Sequence, residues 1–116
     1  MESGIEIIAK ERERQQTEEG RSRAKDLMNN QCDEMAIVAA AYASPARTRI
    51  VRTSSRLPMY WPWDSRWWKP TPDDRIRELA KAGALIAAEI DRLQYIQYPV
   101  YESAAATTES KGESNV

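Results

Sequence analysis

The sequence contains no histidine, no phenylalanine and only one cysteine. Without an imidazole side chain, the Ser-His-Asp triad, Cys-His nucleophile pairs and histidine-ligated zinc sites are all excluded. The single cysteine, Cys32, excludes an internal disulfide and any CxxC pair, and at an apolar helical position it is typical of a small buried side chain. We therefore predict a protein that is not an enzyme and that has no catalytic residues, no metal site and no cofactor.

Large aliphatic residues are also scarce. Leu, Ile and Val contribute 5, 9 and 4 of the 116 residues, a share below the roughly 20% under which disorder becomes common. The net charge of −1 is too small for a disordered chain, and four Trp and five Tyr supply further core material. A single domain with so thin a core has little stability to spare, and self-association would bury more area. We therefore expect a homodimer.

Long apolar runs are absent as well. No stretch approaches the ~18 consecutive apolar residues of a membrane-spanning helix. Met1 is followed by an acidic, polar start that does not resemble a signal peptide. The sequence predicts a cytoplasmic protein that does not enter the membrane.

Two helical patterns lie in the first part of the chain. The first covers about residues 5–19, where Ser3 and Glu6 form a capping-box pattern and the residues after Ala9 are polar all round. The second covers about residues 26–43 and ends at Ser44-Pro45, because the residue before a proline is pushed out of the helical region. Its apolar residues recur at steps of three and four, and they are Met28, Cys32, Met35, Val38 or Ala39, and Tyr42.

The third helical pattern, about residues 72–97, is the clearest. Thr71 can cap the helix, Pro72 suits its first turn, and Asp73 and Asp74 complement the positive end of the helix dipole. We predict one continuous apolar stripe, which consists of Ile76, Leu79, Ala80, Gly83, Ile86, Ala87, Ile90 and Leu93. The small residues at positions 80, 83, 84 and 87 predict close packing against the second helix or against a symmetry-related copy.

The rest of the chain is irregular by pattern. In the connection, residues 45–70, the alternating stretch TRIVRT is compatible with a short hairpin, but Pro58, Pro62 and Pro70 forbid a long regular element. Residues 101–116 are small and polar and predict a disordered tail. The predicted fold class is all-α: a small three-helix domain over residues 1–100 with a basic, Trp-rich loop.

Positive charge concentrates in that loop. Residues 45–69 hold six basic residues and one acidic residue, a net charge of +5, whereas residues 1–44 and 70–116 each have a net charge of −3. This pattern predicts a surface for an acidic partner, while the alternative is that the Trp side chains fill a core poor in Leu and Phe. The candidate binding residues are Arg47, Arg49, Arg52, Arg56, Trp63, Arg66, Trp67, Trp68 and Lys69. Direct DNA binding is not expected at a sequence pI of about 5.6.

Carboxylates offer an enzyme alternative. All-helical nucleotide pyrophosphohydrolases hold magnesium with paired ExxE and ExxD helices. The carboxylates here do not fall into that spacing; they are Glu18, Glu19, Asp33, Glu34, Glu78, Glu89 and Asp91. A nucleotide hydrolase is kept as an alternative function.

Several blocks of the chain resemble a family of short, uncharacterised proteins from tailed bacteriophages and prophages. The blocks are Trp61-Pro62-Trp63 with Trp67-Trp68-Lys69-Pro70, then Lys81-Ala82-Gly83-Ala84-Leu85-Ile86 with Ala88-Glu89-Ile90-Asp91-Arg92-Leu93. Shorter matches such as Glu19-Gly20 extend the resemblance over roughly residues 5–94. Relatives have a Trp and an acidic, His-containing stretch after that pair, where this chain has Arg21-Ser22-Arg23. The resemblance implies that the protein is the product of a phage accessory gene, and it implies no particular activity.

Small phage accessory proteins without catalytic motifs often bind a host component. The leading expectation is a stoichiometric antagonist of a bacterial defence system, similar in kind to anti-CRISPR proteins, which acts on a host defence protein in the host cytoplasm. In a second hypothesis, the same segment sequesters a small nucleotide signal between Trp and Arg side chains.

Overall fold

The computed structural model describes residues 1–19 and 33–97. Within these residues the chain forms three α-helices: α1 (Gly4–Glu18), α2 (Glu34–Ala43) and α3 (Arg75–Gln97). The prediction of a small all-α fold is confirmed. The predicted helical residues 26–32, with Met28 and Cys32, and the predicted tail, residues 101–116, lie outside the described residues. No helix in the described part of the chain is both long and apolar enough to span a membrane.

Short polar side chains fix where α1 and α3 begin. In α1 the predicted capping box is present, because Ser3 Oγ accepts from the amide of Glu6 at 3.1 Å and Glu6 Oε1 accepts from the amide of Ser3 at 2.8 Å. α3 begins at Arg75, three residues later than predicted. Residues 71–74 form a turn instead, and Asp74 Oδ1 takes the capping position by accepting from the amide of Arg77 at 3.1 Å.

The core lies between α2 and α3. From α2, Met35, Val38, Ala39 and Tyr42 are buried, as the spacing predicted. From α3, the buried apolar residues of the same cluster are Ala82, Leu85 and Ala88. Leu57 and Trp61 of the connection complete the cluster. Alanine dominates the α3 side, so α2 can approach closely, but each residue contributes little apolar area.

Of the predicted apolar stripe of α3, Ala80 is buried, but the large side chains are not. The face with Ile76, Leu79, Ile86, Ile90 and Leu93 is exposed, and each of these side chains keeps between 42% and 66% of its accessible surface. The helix turns its other side to α2 and α1, where charged residues with partners lie among the alanines. Glu89 shows how this is possible, because its carboxylate is bound by Arg92 at 2.7 and 2.9 Å. A buried charge is tolerable when it is paired in this way.

α1 packs on α3, although its sequence is polar nearly all round. Ile8 covers Gly83 so closely that a Cβ at position 83 would lie 2.5 Å from its Cδ1 atom. Arg12 bridges to Asp91 of α3 at 3.3 Å, and Glu11 and Gln15 are buried. The predicted close packing at Gly83 is therefore present, but its partner is the first helix rather than the second helix or a symmetry-related copy.

The connection between α2 and α3 contains two 3₁₀ turns, Ala46–Thr48 and Ser65–Trp67. The hairpin suggested by TRIVRT is reduced to one antiparallel bridge between Val51 and Pro58. Pro58 lacks an amide hydrogen and cannot extend the pairing as a donor.

Candidate functional site

The tryptophans of the connection form an aromatic cluster around Tyr42. Trp61 is buried, and its ring centroid lies 6.2 Å from that of Tyr42, 5.9 Å from that of Trp63 and 5.0 Å from that of Trp68. Trp68 also packs on Tyr42 at 4.9 Å. The three ring contacts of Trp61 are edge-to-face, a geometry that stabilises aromatic pairs beyond the area that they bury. The Trp residues therefore form one wall of the core, which was the alternative reading of their sequence pattern.

Tyr42 ties the end of that segment to α2. Its hydroxyl donates to the backbone carbonyl of Trp67 at 3.2 Å and accepts from the backbone amide of Lys69 at 2.9 Å. Trp67 is half-buried, with Arg66 and Lys69 at 5.6 and 5.4 Å from its ring centroid. These two cations are exposed but lie over an aromatic face of their own chain.

Arg49 is a structural residue rather than a free contact. Its Nε donates to the carbonyl of Ala41 at 2.9 Å, its guanidinium lies 5.1 Å from the Trp68 ring centroid, and it pairs with Glu78 at 3.1 Å. Arg75 meets the same carboxylate at 2.9 Å and donates to the carbonyl of Tyr42 at 2.9 Å. The two arginines thus satisfy carbonyls at the C-terminal end of α2, which have no partner within the helix.

Glu78 holds this arginine pair in place. Its side chain is almost completely buried, and its second oxygen accepts from the amide of Thr71 at 3.0 Å. Burial by itself raises the pKa of Glu78, but the hydrogen bonds from Arg49 and Arg75 outweigh burial and leave the pKa below its ordinary value. Arg49, a candidate binding residue by sequence, is therefore held inside the fold by Glu78 and Trp68.

Arg52 is also engaged internally. It donates to the carbonyl of Trp61 at 2.9 Å and to that of Met59 at 3.4 Å. Of the predicted binding arginines, Arg47, Arg56 and Arg66 are exposed, and Arg66 lies over the ring of Trp67. Arg56 has φ 63°, in the left-handed region that a non-glycine residue rarely adopts.

An open apolar groove of about 420 Å³ lies between α2 and the connection. One wall is α2 with Ile37, and the other carries Ile50, Met59 and Tyr60. These four side chains are 39%, 72%, 40% and 80% exposed. A volume of this size falls within the range of ligand pockets, about 300–1,000 Å³. Sequence reasoning missed the groove, since no spacing rule shows that Ile37 and Tyr60 face the same opening.

The isoleucines supply much of the exposed apolar surface of the protein. All nine lie in the described residues, and none is fully buried: seven are exposed, and Ile7 and Ile8 are partly buried. Isoleucine is among the residue types most often buried in folded proteins. Two of the seven exposed isoleucines line the groove and three lie on the exposed face of α3, so both surfaces present apolar area to solvent.

A second cavity lies beside the Trp segment but has little room. Its lining includes Trp63, Trp67, Lys69 and Lys81, and its volume is about 30 Å³, roughly the share of one water molecule. Lys81 donates to the carbonyl of Lys69 at 2.6 Å, and burial, with the charge of Arg77, lowers its pKa. This site gives no support to a nucleotide held between Trp and Arg side chains.

Five carboxylates of the enzyme alternative are paired with arginines, and they are Glu18, Glu19, Glu78, Glu89 and Asp91. Arg14 is bound by Glu11 at 2.7 Å and by Glu19 at 2.7 Å, which raises its pKa. Burial opposes ionisation of Glu11, but the hydrogen bond and charge of Arg14 lower its pKa. Within the two described stretches, no three metal-ligating side chains come together. These contacts give Glu11 and Glu19 a structural role.

Comparison with known proteins identifies no relative of this chain. The chain matches no protein-family model, no curated protein and no solved structure.

Proposed function

We propose that this protein is a phage accessory protein that acts by stoichiometric binding and antagonises a bacterial defence system in the host cytoplasm. The observation that supports this proposal best is the apolar groove with its basic surroundings. The phage origin is supported by the Trp61–Trp63 and Lys81–Leu93 blocks. The contact surface consists of the groove with Arg47 and Arg56.

The groove suits a protein partner because it is both apolar and preorganised. Arg52 donates to the carbonyls of Met59 and Trp61 and so holds two parts of the connection together. Glu78 and its arginine partners fix the C-terminal end of α2 next to the groove. A surface that is already ordered loses little conformational entropy on binding. Tyr60 supplies a large exposed ring of the kind enriched at binding hot spots.

The charge of the connection gives the expected chemistry of the partner. The only acidic residue in residues 45–69 is Asp64, and its carboxylate accepts from the amide of Arg66 at 3.0 Å. Exposed Arg47 and Arg56 therefore favour an acidic surface around an apolar contact, and steer its approach.

The backbone at Arg56 supports a binding role for that side chain. A glycine would adopt φ 63° with less backbone strain, so an arginine at this position lowers the stability of the fold. Arg56→Gly should fold at least as well as the wild type but bind its partner less tightly. A variant that keeps full affinity would remove Arg56 from the contact surface.

Native mass spectrometry of protein purified from its host tests the mode of action. The proposal expects a complex with a host protein at a fixed stoichiometric ratio, which weakens in Arg56→Gly. A nucleotide carried by the protein without a protein partner would support the sequestration alternative instead. Magnesium-dependent turnover of nucleotides would support the hydrolase alternative.

A further inference from the structure

The exposed face of α3 has the spacing of a helix–helix interface. Its positions alternate by three and four along the helix, and they are Ile76, Leu79, Gly83, Ile86, Ile90 and Leu93. This is the heptad pattern that brings two helices together along a shared seam. The face extends about 26 Å along the axis, and no charged residue lies in it.

We propose that this face binds the same face of a second copy of the chain, with the two α3 helices antiparallel. Reversing the helix about the midpoint between Ala84 and Leu85 places Ile76 opposite Leu93 of the second copy and Leu79 opposite its Ile90. Ile86 then lies opposite Gly83, where Ile8 of α1 covers the glycine and offers Ile86 an apolar side chain to pack on. A surface that complements itself in this way is what a two-fold symmetric dimer requires.

Antiparallel pairing also has the better electrostatics. It sets the positive end of each α3 dipole beside the negative end of the other, whereas parallel pairing would place like ends together. Without charges in the seam, no carboxylate or guanidinium has to be desolvated on association.

α1 extends the apolar area beyond α3. Ile8 lies on Gly83, and Ile5, three residues earlier and so on the same side of α1, is 81% exposed. Stable interfaces bury about 800 Å² on each partner, more than one helical stripe supplies. Ile5 of α1 adds exposed apolar area to that of the seam.

Light scattering on the full chain tests the pairing. Wild-type protein should have twice the 13.3 kDa mass of the chain at micromolar concentrations. Ile90→Asp should have the monomer mass with unchanged helical circular dichroism, because Ile90 is 52% exposed. Ile50→Asp, the same change in the groove, should remain a dimer and lose only the proposed partner binding. A monomeric wild type at 100 μM, or a dimeric Ile90→Asp, would overturn the proposal.

Thiol cross-linking in a Cys32→Ser background tests the direction. A mixture of Leu79→Cys and Ile90→Cys chains should give a cross-linked heterodimer with a short bifunctional reagent, while neither variant cross-links alone. In a parallel pair each variant would cross-link to itself, and that result would contradict the antiparallel assignment.

Discussion

Glu78→Gln should destabilise the fold far more than its small chemical change suggests. The wild-type carboxylate receives Arg49 at 3.1 Å, Arg75 at 2.9 Å and the amide of Thr71 at 3.0 Å, and it is 1% exposed. A glutamine keeps the shape but has one acceptor oxygen for these donors and turns an N–H group toward one of them. The guanidinium of Arg49, itself almost fully buried, would lose its counter-charge.

Removing one partner of a buried ion pair costs about 3–5 kcal/mol. The Arg75 side chain is 35% exposed, so solvent screens its part of the interaction, and we expect a loss near the lower bound, about 3 kcal/mol. For a domain of this size, that corresponds to a decrease in Tm of roughly 12 °C or more.

Chemical denaturation of purified Glu78→Gln measures this loss. Glu13→Gln is the matched control, because Glu13 is exposed on α1 and the same change there should stay within about 0.5 kcal/mol of wild type. A double-mutant cycle that combines Glu78→Gln with Arg49→Met should give a coupling free energy of about 0.5–3 kcal/mol. If Glu78→Gln loses no more stability than Glu13→Gln, the buried arginine pair does not support the fold as argued.

Three further changes probe the fold. The pKa values of Glu11 and Glu78 are lowered in the folded state, so both carboxylates stabilise the fold fully when the pH is above the unfolded pKa of about 4.3. This stabilisation is lost as the pH falls through the folded pKa values, and the midpoint of urea denaturation should decrease below about pH 4.3. Gly83→Leu should cost about 1–3 kcal/mol by overpacking against Ile8, and Ile8→Ala should restore part of it; a Tm that the glycine substitution leaves unchanged would contradict the α1–α3 contact. Tyr42→Phe should cost about 1–3 kcal/mol, because a backbone carbonyl and a backbone amide of the connection lose their partner, and equal stability in denaturation would show that water replaces the hydroxyl.

The elements with local signals could be predicted from the sequence. Ser3 and Glu6 give the start of α1, and Pro45 gives the end of α2, because capping and the proline ring act within a few residues. The stripe from Met35 to Tyr42 is also correct, because the large apolar side chains of α2 other than Ile37 recur at steps of three and four.

The orientation of α3 was not predictable in this way. Both of its sides contain apolar residues, and spacing favours the larger Ile and Leu side chains of the side that the monomer exposes. The deciding interactions are between distant residues: Glu78 becomes suitable for burial only when Arg49, 29 positions earlier, is beside it. The groove depends on the same distant contacts, and so do the internal roles of Arg49 and Arg52 in the candidate site.

Phage plaquing on a host strain that carries the targeted defence system tests the central claim most directly. Wild-type protein expressed in the host should raise the plaquing efficiency, and Ile50→Asp should abolish that effect, because it places a charge in the apolar groove near the proposed acidic surface of the partner. Gln16→Asp adds the same charge on the exposed side of α1 and should retain wild-type activity. If Ile50→Asp is folded and protects the phage as well as the wild type does, the groove is not the functional surface.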